Sequence, residues 1–447
     1  MEGHAMTAPH TLFGLDPLWL ATTILILTYA VIISEKLNRA VIALLGAMLM
    51  IMTGLLNQEL AIAGIDFNTI GLLVGMMIIV SITRKSGVFE YMAIWSAKLV
   101  KANPAGILAM LAAVTAVVSS LLDNVTTVLL VVPVTLAITE ALKVNPYPFL
   151  FSQILASNIG GTATLIGDPP NILIGTLVNL SFNQFVVNLT PVIVVILIVH
   201  LLSIHLIWGR RMQASDEARR HVMGFDERKA ITDPVLLKKA LIVVTAVIAA
   251  FVGARFIGLE AGTIGMAGAA VLLLLDNIGK PAEKQSENVT HVFNEVEWIT
   301  IFFFIGLFMV IAGVEHAGVL SLLAHKLVEL TGGDMKVTGV AVLWASAVLS
   351  AIVDNIPFVA TMIPLIKSMA PSFGGPQAIE PLWWALSLGA CLGGNGTLIG
   401  ASANLTVAGI AERNGIPFRF MTYTKVAFPL MLIHVAISQV YIIWRYF

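Results

Sequence analysis

The sequence predicts an all-α polytopic membrane protein made of two inverted-topology repeats, and three observations carry that expectation. Of its 447 residues 58% are hydrophobic and only 11% are charged, against about 25% charged in soluble chains. Lipid must therefore solvate most of the surface. Two stretches rich in Gly, Asn and Thr sit inside long apolar runs: Ser157–Gly175 reads SNIGGTATLIGDPPNILIG and Gly393–Gly409 reads GGNGTLIGASANLTVAG. Each is preceded by an Asp-Asn pair in an apolar run, Asp123-Asn124 and Asp354-Asn355. Paired helix breaks in two halves of an apolar chain are the mark of a transport site.

Taken in order, apolar segments fall near Trp19–Ile33, Ala40–Gly54, Ile70–Ile82, Phe149–Leu180 (interrupted) and Thr190–Trp208. They resume near Leu236–Val252, Ile264–Leu275, Trp298–Val314, Trp383–Gly409 (interrupted) and Val426–Ile443. Two further pairs, Ala105–Leu121 with Val125–Ile138 and Val340–Leu349 with Ile356–Ile366, flank the Asp-Asn dipeptides. A charge at the middle of a lipid-facing helix is costly. A re-entrant hairpin turning at Asp-Asn places it in a polar cavity instead. The sum is about ten transmembrane crossings, two of them broken helices, plus two re-entrant hairpins. Residues 1–15 are short and polar with no basic segment ahead of the apolar run, so no cleaved signal peptide is expected.

Basic residues cluster on alternate loops: Lys36 with Arg39, then Arg84, Lys85, Lys98 and Lys101, then a central run including Arg210, Arg211, Arg219 and Arg220. The positive-inside rule puts those loops in the cytoplasm and both termini outside. Arg255, Lys326, Lys336, Lys367 and Arg445 break the pattern. Five crossings per half make the second half enter upside down. The boundaries follow: residues 1–209 form the first repeat (scaffold 17–85, transport region 86–209), 210–235 a cytoplasmic linker, and 236–447 the second repeat (scaffold 236–315, transport region 316–447). Internal matches support this division. SSLLDNVTTVLLVVPV at Ser119–Val134 answers LSAIVDNIPFVATMIPL at Leu349–Leu365, and GTATLIG at Gly161–Gly167 answers GNGTLIG at Gly394–Gly400.

The breaks carry the chemistry. Glycines permit unwound backbone, and Pro169-Pro170 suits the first turn of a new helix, so a helix should end near Ile159 and another begin near Pro169. Unwound carbonyls accept cations or donors, while the new N-terminus offers N–H groups and positive dipole. Candidate substrate-binding residues are Asn124, Thr126 and Thr127 at the first tip; Asn158, Thr162, Thr164 and Asn171 along the first break; Asn355 at the second tip; and Asn395, Thr397, Ser402 and Asn404 along the second break. Asp123, Asp354 and Asp168 are the candidates for proton coupling. Competing structural readings are that Asp123 and Asp354 hold the tips through backbone N–H groups, and that Asp168 caps the helix opening at Pro169. Ala401 stands opposite Asp168 in the second copy, so the halves are chemically unequal. Cys391, the single cysteine, excludes an intramolecular disulfide and reads as a small buried hydrophobe. Glu295 and Glu297 read as interfacial, as do Trp298, Trp344, Trp383, Trp384 and Tyr423. Near-neutral net charge gives no sign of nucleic-acid binding, no cofactor or metal site is expected, and no GxxxxGK[ST] phosphate loop is present.

These motifs resemble the arsenite permease and sodium/proton antiporter branch of the ion transporter superfamily. DNVTTVLLVVPV and SNIGGTATLIGDPPNILIG are similar to patterns of bacterial arsenite permeases and of the melanosomal P protein. The likeness runs from about Trp19 to Ile443. It implies a prokaryotic inner-membrane secondary transporter with a scaffold and a transport region, a homodimer in some members, and a soluble ATPase subunit in others. Related carboxylate transporters place Ser-Asn-Thr at each hairpin tip. Here the tips are acidic, which by this likeness weakens a dicarboxylate reading. The expected function is proton-coupled efflux of arsenite or antimonite, with the neutral trihydroxide held by Thr, Ser and Asn groups. Sodium/proton exchange is the alternative, and organic anion or carboxylate transport comes third.

Overall fold

The computed structural model describes residue 11, residues 14–34 and residues 36–447. The reading of the N-terminal leader falls largely outside these. The described residues form helices and no strand. Eight helices are long and apolar enough to cross a membrane, which makes the chain a multi-pass membrane protein.

The first half contains α1 (Pro17–Ile33), α2 (Arg39–Met52), α3 (Gln58–Ala63), α4 (Phe67–Arg84), α5 (Val88–Leu99), α6 (Pro104–Ser119), α7 (Asn124–Leu142), α8 (Tyr147–Gly161), α9 (Pro169–Val178) and α10 (Phe182–Ile207). A linker helix α11 (Asp216–Met223) comes next. The second half contains α12 (Pro234–Ile257), α13 (Ala261–Asn277), α14 (Ala282–Asn294), α15 (Trp298–His316), α16 (Val319–Leu330), α17 (Met335–Ile352), α18 (Asn355–Met369), α19 (Glu380–Gly393), α20 (Ser402–Arg413) and α21 (Phe420–Tyr446). The apolar segments read from the sequence all lie in these helices, and the interrupted ones break where Gly and Pro fall. Helix starts recur at one spacing: Phe67 and Trp298, Val88 and Val319, Pro104 and Met335, Asn124 and Asn355. Interior prolines recur too, Pro133 with Pro364 and Pro191 with Pro429.

Small residues set the close packing. In lipid there is little hydrophobic drive between helices, so backbones approach wherever side chains are absent. A Cβ on Gly160 would sit 2.0 Å from the Ala116 carbonyl oxygen, which fixes α8 against α6; one on Gly393 would sit 2.4 Å from the Ala347 carbonyl oxygen, which fixes α19 against α17. Between halves, α2 packs on α15 and α4 on α13. Trp384 and Tyr423 are fully buried and Trp383 is 2% exposed, so these three are packing residues and not interfacial anchors. The linker is tied down as well: the Lys98 ammonium binds the Glu227 carboxylate and the Phe225 carbonyl, and Thr232 N–H donates to the Ser86 carbonyl at 3.0 Å.

Candidate functional site

Six helices begin around one cavity. Its lining takes Arg39 from the start of α2, Asp123 and Asn124 from α7, and Asp168 and Pro169 from α9; Glu297 and Thr300 come from α15, Asn355 and Ile356 from α18, and Ser402 from α20. Every one of these is a first-turn or cap position. Helix N-termini carry about half a positive charge each, although α9 opens with Pro169-Pro170 and offers no N–H there, and Asp123 and Asp354 already accept from first-turn N–H groups of α7 and α18. The cavity has about 20 Å³ of room, space for a water or so. A wider vestibule of about 440 Å³ adjoins it, sharing Arg39, Val125, Glu297, Thr300 and Ser402 and opening past Trp298 and Thr406.

At the neck between these spaces, Arg39 reaches from the first half to three residues of the second. Its Nη1 donates to Asp354 Oδ2 at 3.0 Å and to Ser402 Oγ at 2.7 Å, and its Nη2 donates to Thr300 Oγ1 at 3.2 Å. Ser402 Oγ donates onward to Asp354 Oδ2 at 3.0 Å, and Thr300 Oγ1 to Glu297 Oε2 at 3.1 Å. The guanidinium lies over the Phe303 ring, 5.1 Å from its centroid, a favourable cation–π placement.

Deeper in, a ladder of amides joins the halves. Asn124 Nδ2 donates to Asn158 Oδ1 at 2.9 Å and to Asp168 Oδ1 at 3.3 Å. Asn158 Nδ2 in turn donates to Asn395 Oδ1 at 2.9 Å and Asn404 Oδ1 at 3.0 Å. Asp168 is fully buried, Oδ2 has no partner among the described residues, and neither oxygen caps α9. The Asn355 and Asn395 amide nitrogens also lack partners there. Unpaired buried polar atoms are rare and call for an explanation such as a ligand or proton.

The sequence candidates sort by position. Asp123, Asn124, Asp168, Asn355 and Ser402 line the cavity, and Asp354 meets it through Arg39 and Ser402. Asp123 and Asp354 also hold the tips, accepting from Thr126 N at 2.8 Å and Ile356 N at 3.0 Å. Asn171 and Asn404 stand behind the cavity as braces. Asn171 Nδ2 spans to the Thr162 and Thr164 carbonyls at 3.0 and 2.9 Å, and Asn404 Nδ2 to the Gly394 and Thr397 carbonyls at 2.7 and 2.8 Å. The hydroxyls of Thr162, Thr164 and Thr397 donate to the backbone carbonyls of Asn158, Ser120 and Ala351. Thr127 is buried, its hydroxyl without a partner among the described residues, off the lining. Cys391 is buried, its thiol 3.6 Å from Asn171 Oδ1.

Sequence reasoning missed Arg39, Glu297 and Thr300. It assigns Arg39 to the positive-inside count and Glu297 to the interface; both point into the site. A signal exists. A cation in the first turn of an apolar helix opposes the macrodipole, so Arg39 needs an acidic partner. Glu297-x-x-Thr300 also repeats Asp66-x-x-Thr69 at the matching helix start, where Thr69 Oγ1 donates to Asp66 Oδ2 at 2.6 Å.

The citrate transporter (CitMHS) family model matches residues 29–389. The chain is 39% identical to the transporter Rv2684 of Mycobacterium tuberculosis over 431 residues, 96% of this chain and 98% of that one. It is 31% identical to the human (Homo sapiens) P protein over 507 residues, 95% of this chain and 59% of that longer protein. Among solved structures, the YdaH transporter of Alcanivorax borkumensis superposes with a TM-score of 0.60 at 13% identity, covering 96% of this chain and 98% of that one. MtrF of Neisseria gonorrhoeae, placed in a class of antimetabolite efflux pumps, superposes with a TM-score of 0.61 at 12% identity, covering 97% and 96%. At such identities these two show the fold alone. The expected arsenite permease membership, and with it arsenite or antimonite efflux and arsenical resistance, is overturned by the family match. The error has a physical source: with Arg39 left out of the site, the acidic tips seemed to repel an anion. Matched over most of its length by one family model and by full-length relatives, the chain belongs to the citrate-transporter family.

Proposed function

We propose that this secondary transporter carries a small organic carboxylate of the citrate kind, bound at the cavity where Arg39 meets the six helix N-termini. That convergence is the observation that carries the reading. A guanidinium fork matches a carboxylate in plane and spacing, and N-terminal N–H groups bind a second carboxylate without any further cation. Asn124, Asn355 and Ser402 supply directional polar contacts. Asp123, Asp168 and Asp354 are the groups we assign to proton coupling. The cavity is too small for citrate as it stands, so the site must widen during the cycle.

The recurrent helix starts, together with the reciprocal packing of α2 on α15 and α4 on α13, support two inverted repeats of five crossings and one hairpin each, related by a two-fold axis in the membrane plane. Alternating access then exposes one central site to either side. The basic loops favour both termini outside a prokaryotic inner membrane, with the vestibule beside Trp298 on the cytoplasmic side.

Sodium/proton exchange is a second reading. Four carboxylates, Asp123, Asp168, Asp354 and Glu297, surround one guanidinium, a balance that also suits a cation. Purified protein in proteoliposomes under an imposed pH gradient separates the two. Saturable uptake of citrate or a smaller di- or tricarboxylate is the expected result. Sodium-triggered proton release with no carboxylate flux would favour the second reading and sink the first.

A further inference from the structure

We propose that a second cavity, remote from Arg39, binds a small monocarboxylate with an apolar body. It lies between α9 and α10 of the first half and α12 and α13 of the second, and shares no lining residue with the narrow cavity or the vestibule. Helix α4 sets the separation. Asn68 in its first turn lines this second cavity. Arg84 at its other end binds Glu295 at 3.3 Å, next to the Val296 and Glu297 of the vestibule. At 1.5 Å per residue, α4 puts about 24 Å between those ends. The inference is therefore independent of the carboxylate reading of the central site.

The cavity has about 240 Å³ of room, just under the ordinary range for drug-sized ligands. Its buried wall is apolar: Phe182 and Phe251 stack there with centroids 5.9 Å apart and planes at 17°, and Ala254 beside them leaves space. Arg255 supplies the polar handle, and its guanidinium is under-used. Among the described residues it forms no ion pair, and its hydrogen bond runs from Nη2 to Gln184 Oε1 at 2.8 Å. That oxygen already accepts from Ser181 N at 2.9 Å and Ser181 Oγ at 3.0 Å. An amide oxygen has two lone pairs, so the Arg255 bond is the one in excess. A carboxylate offers the guanidinium a two-point partner instead. The other charge in the lining is the exposed Glu260, which makes no cap bond to α13. One cation against one acid tolerates a single negative charge and penalises two or three, so this chemistry selects a monocarboxylate over citrate. An apolar ring or chain on that carboxylate covers the Phe182–Phe251 pair and touches helices of both halves.

The test is equilibrium binding of radiolabelled 3-phenylpropionate to the purified full chain in lipid nanodiscs, with empty nanodiscs as the blank and the neutral 3-phenylpropan-1-ol as competitor. Saturable binding above the blank is expected, with the alcohol competing about tenfold more weakly than the unlabelled acid. Arg255→Gln should weaken binding about tenfold or more. Ala254→Leu fills the cavity without touching its charges and should do the same, while Glu260→Gln should tighten binding. Each variant is compared at an unchanged thermal midpoint, so that a loss of binding is not a loss of fold. No saturable binding above the blank, equal competition by acid and alcohol, or binding that survives both Arg255→Gln and Ala254→Leu overturns the proposal. Binding lost in Arg39→Gln but kept in Arg255→Gln would put the molecule in the central cavity and overturn it equally.

Discussion

In the first half, the last turn of α8 carries Asn158 and the cap of α9 carries Asp168; at the same places the second half carries Cys391 and Ala401. The supporting parts are otherwise shared. Both tips are capped by an Asp, both unwound segments are strapped by an Asn amide to two backbone carbonyls, and both broken helices lie on a glycine contact. What differs is the charge wiring. The second half pairs its tip acid with Arg39, whereas the first holds an unpaired acid deep in an amide ladder. The frame of the site is duplicated and its chemistry is not. An inverted pair of identical sites would bind a symmetrical ligand twice; on the proposed reading, unequal halves bind one ligand and one coupling ion between them.

Substitutions sharpen that contrast. Arg39→Gln removes the one cation that the cavity lining places against the second half's tip acid, a half-buried pair. Carboxylate affinity should fall by about 100-fold or more, read as tracer binding to purified protein, and a change under threefold would break the assignment. Next come the glycine contacts. Gly160→Ala places a methyl 2.0 Å from a backbone oxygen and Gly393→Ala 2.4 Å from one, so both should lower the thermal midpoint in detergent, Gly160→Ala more. Equal or absent shifts would mean that the two seams are looser than their geometry.

The braces rank third. Asn404→Ala strands two backbone carbonyls and a donor on Asn158, and Asn171→Ala strands two carbonyls and the Ser387 hydroxyl. Each should cost about 1–3 kcal/mol, visible as a lowered thermal midpoint. Loss of substrate affinity with no loss of stability would move these residues from the frame into the binding site. The smallest effect concerns the linker. The Lys98 ammonium holds the Glu227 carboxyl below the usual glutamate range. Its contribution is complete above the ordinary value of 4.5 and is lost as pH falls through the lowered one. Glu227→Gln should therefore increase amide hydrogen exchange in residues 226–232 at neutral pH and match the wild type in strong acid.

Much of this frame is legible in the sequence because it depends on local rules. Gly160, Gly161 and Gly167 with Pro169 locate a break, and Asp123-Asn124 and Asp354-Asn355 locate two capped tips, from residue type alone. The repeat is legible because the same words recur in order. The Arg39 cluster is not legible because its partners lie far apart in the chain: Arg39 meets Asp354 and Ser402 across more than half the sequence, and a lone arginine beside Lys36 looks like any cytoplasmic charge. Glu297 was lost for the same reason, since a helix-border acid points inward or outward according to packing that no local pattern encodes.

The most direct test of the central claim is equilibrium binding of radiolabelled citrate to purified wild-type protein and to Arg39→Gln in parallel. Saturable binding by the wild type that disappears in the variant is the expected result. No carboxylate binding by the wild type, or binding that survives loss of the guanidinium, would contradict a carboxylate site built on Arg39.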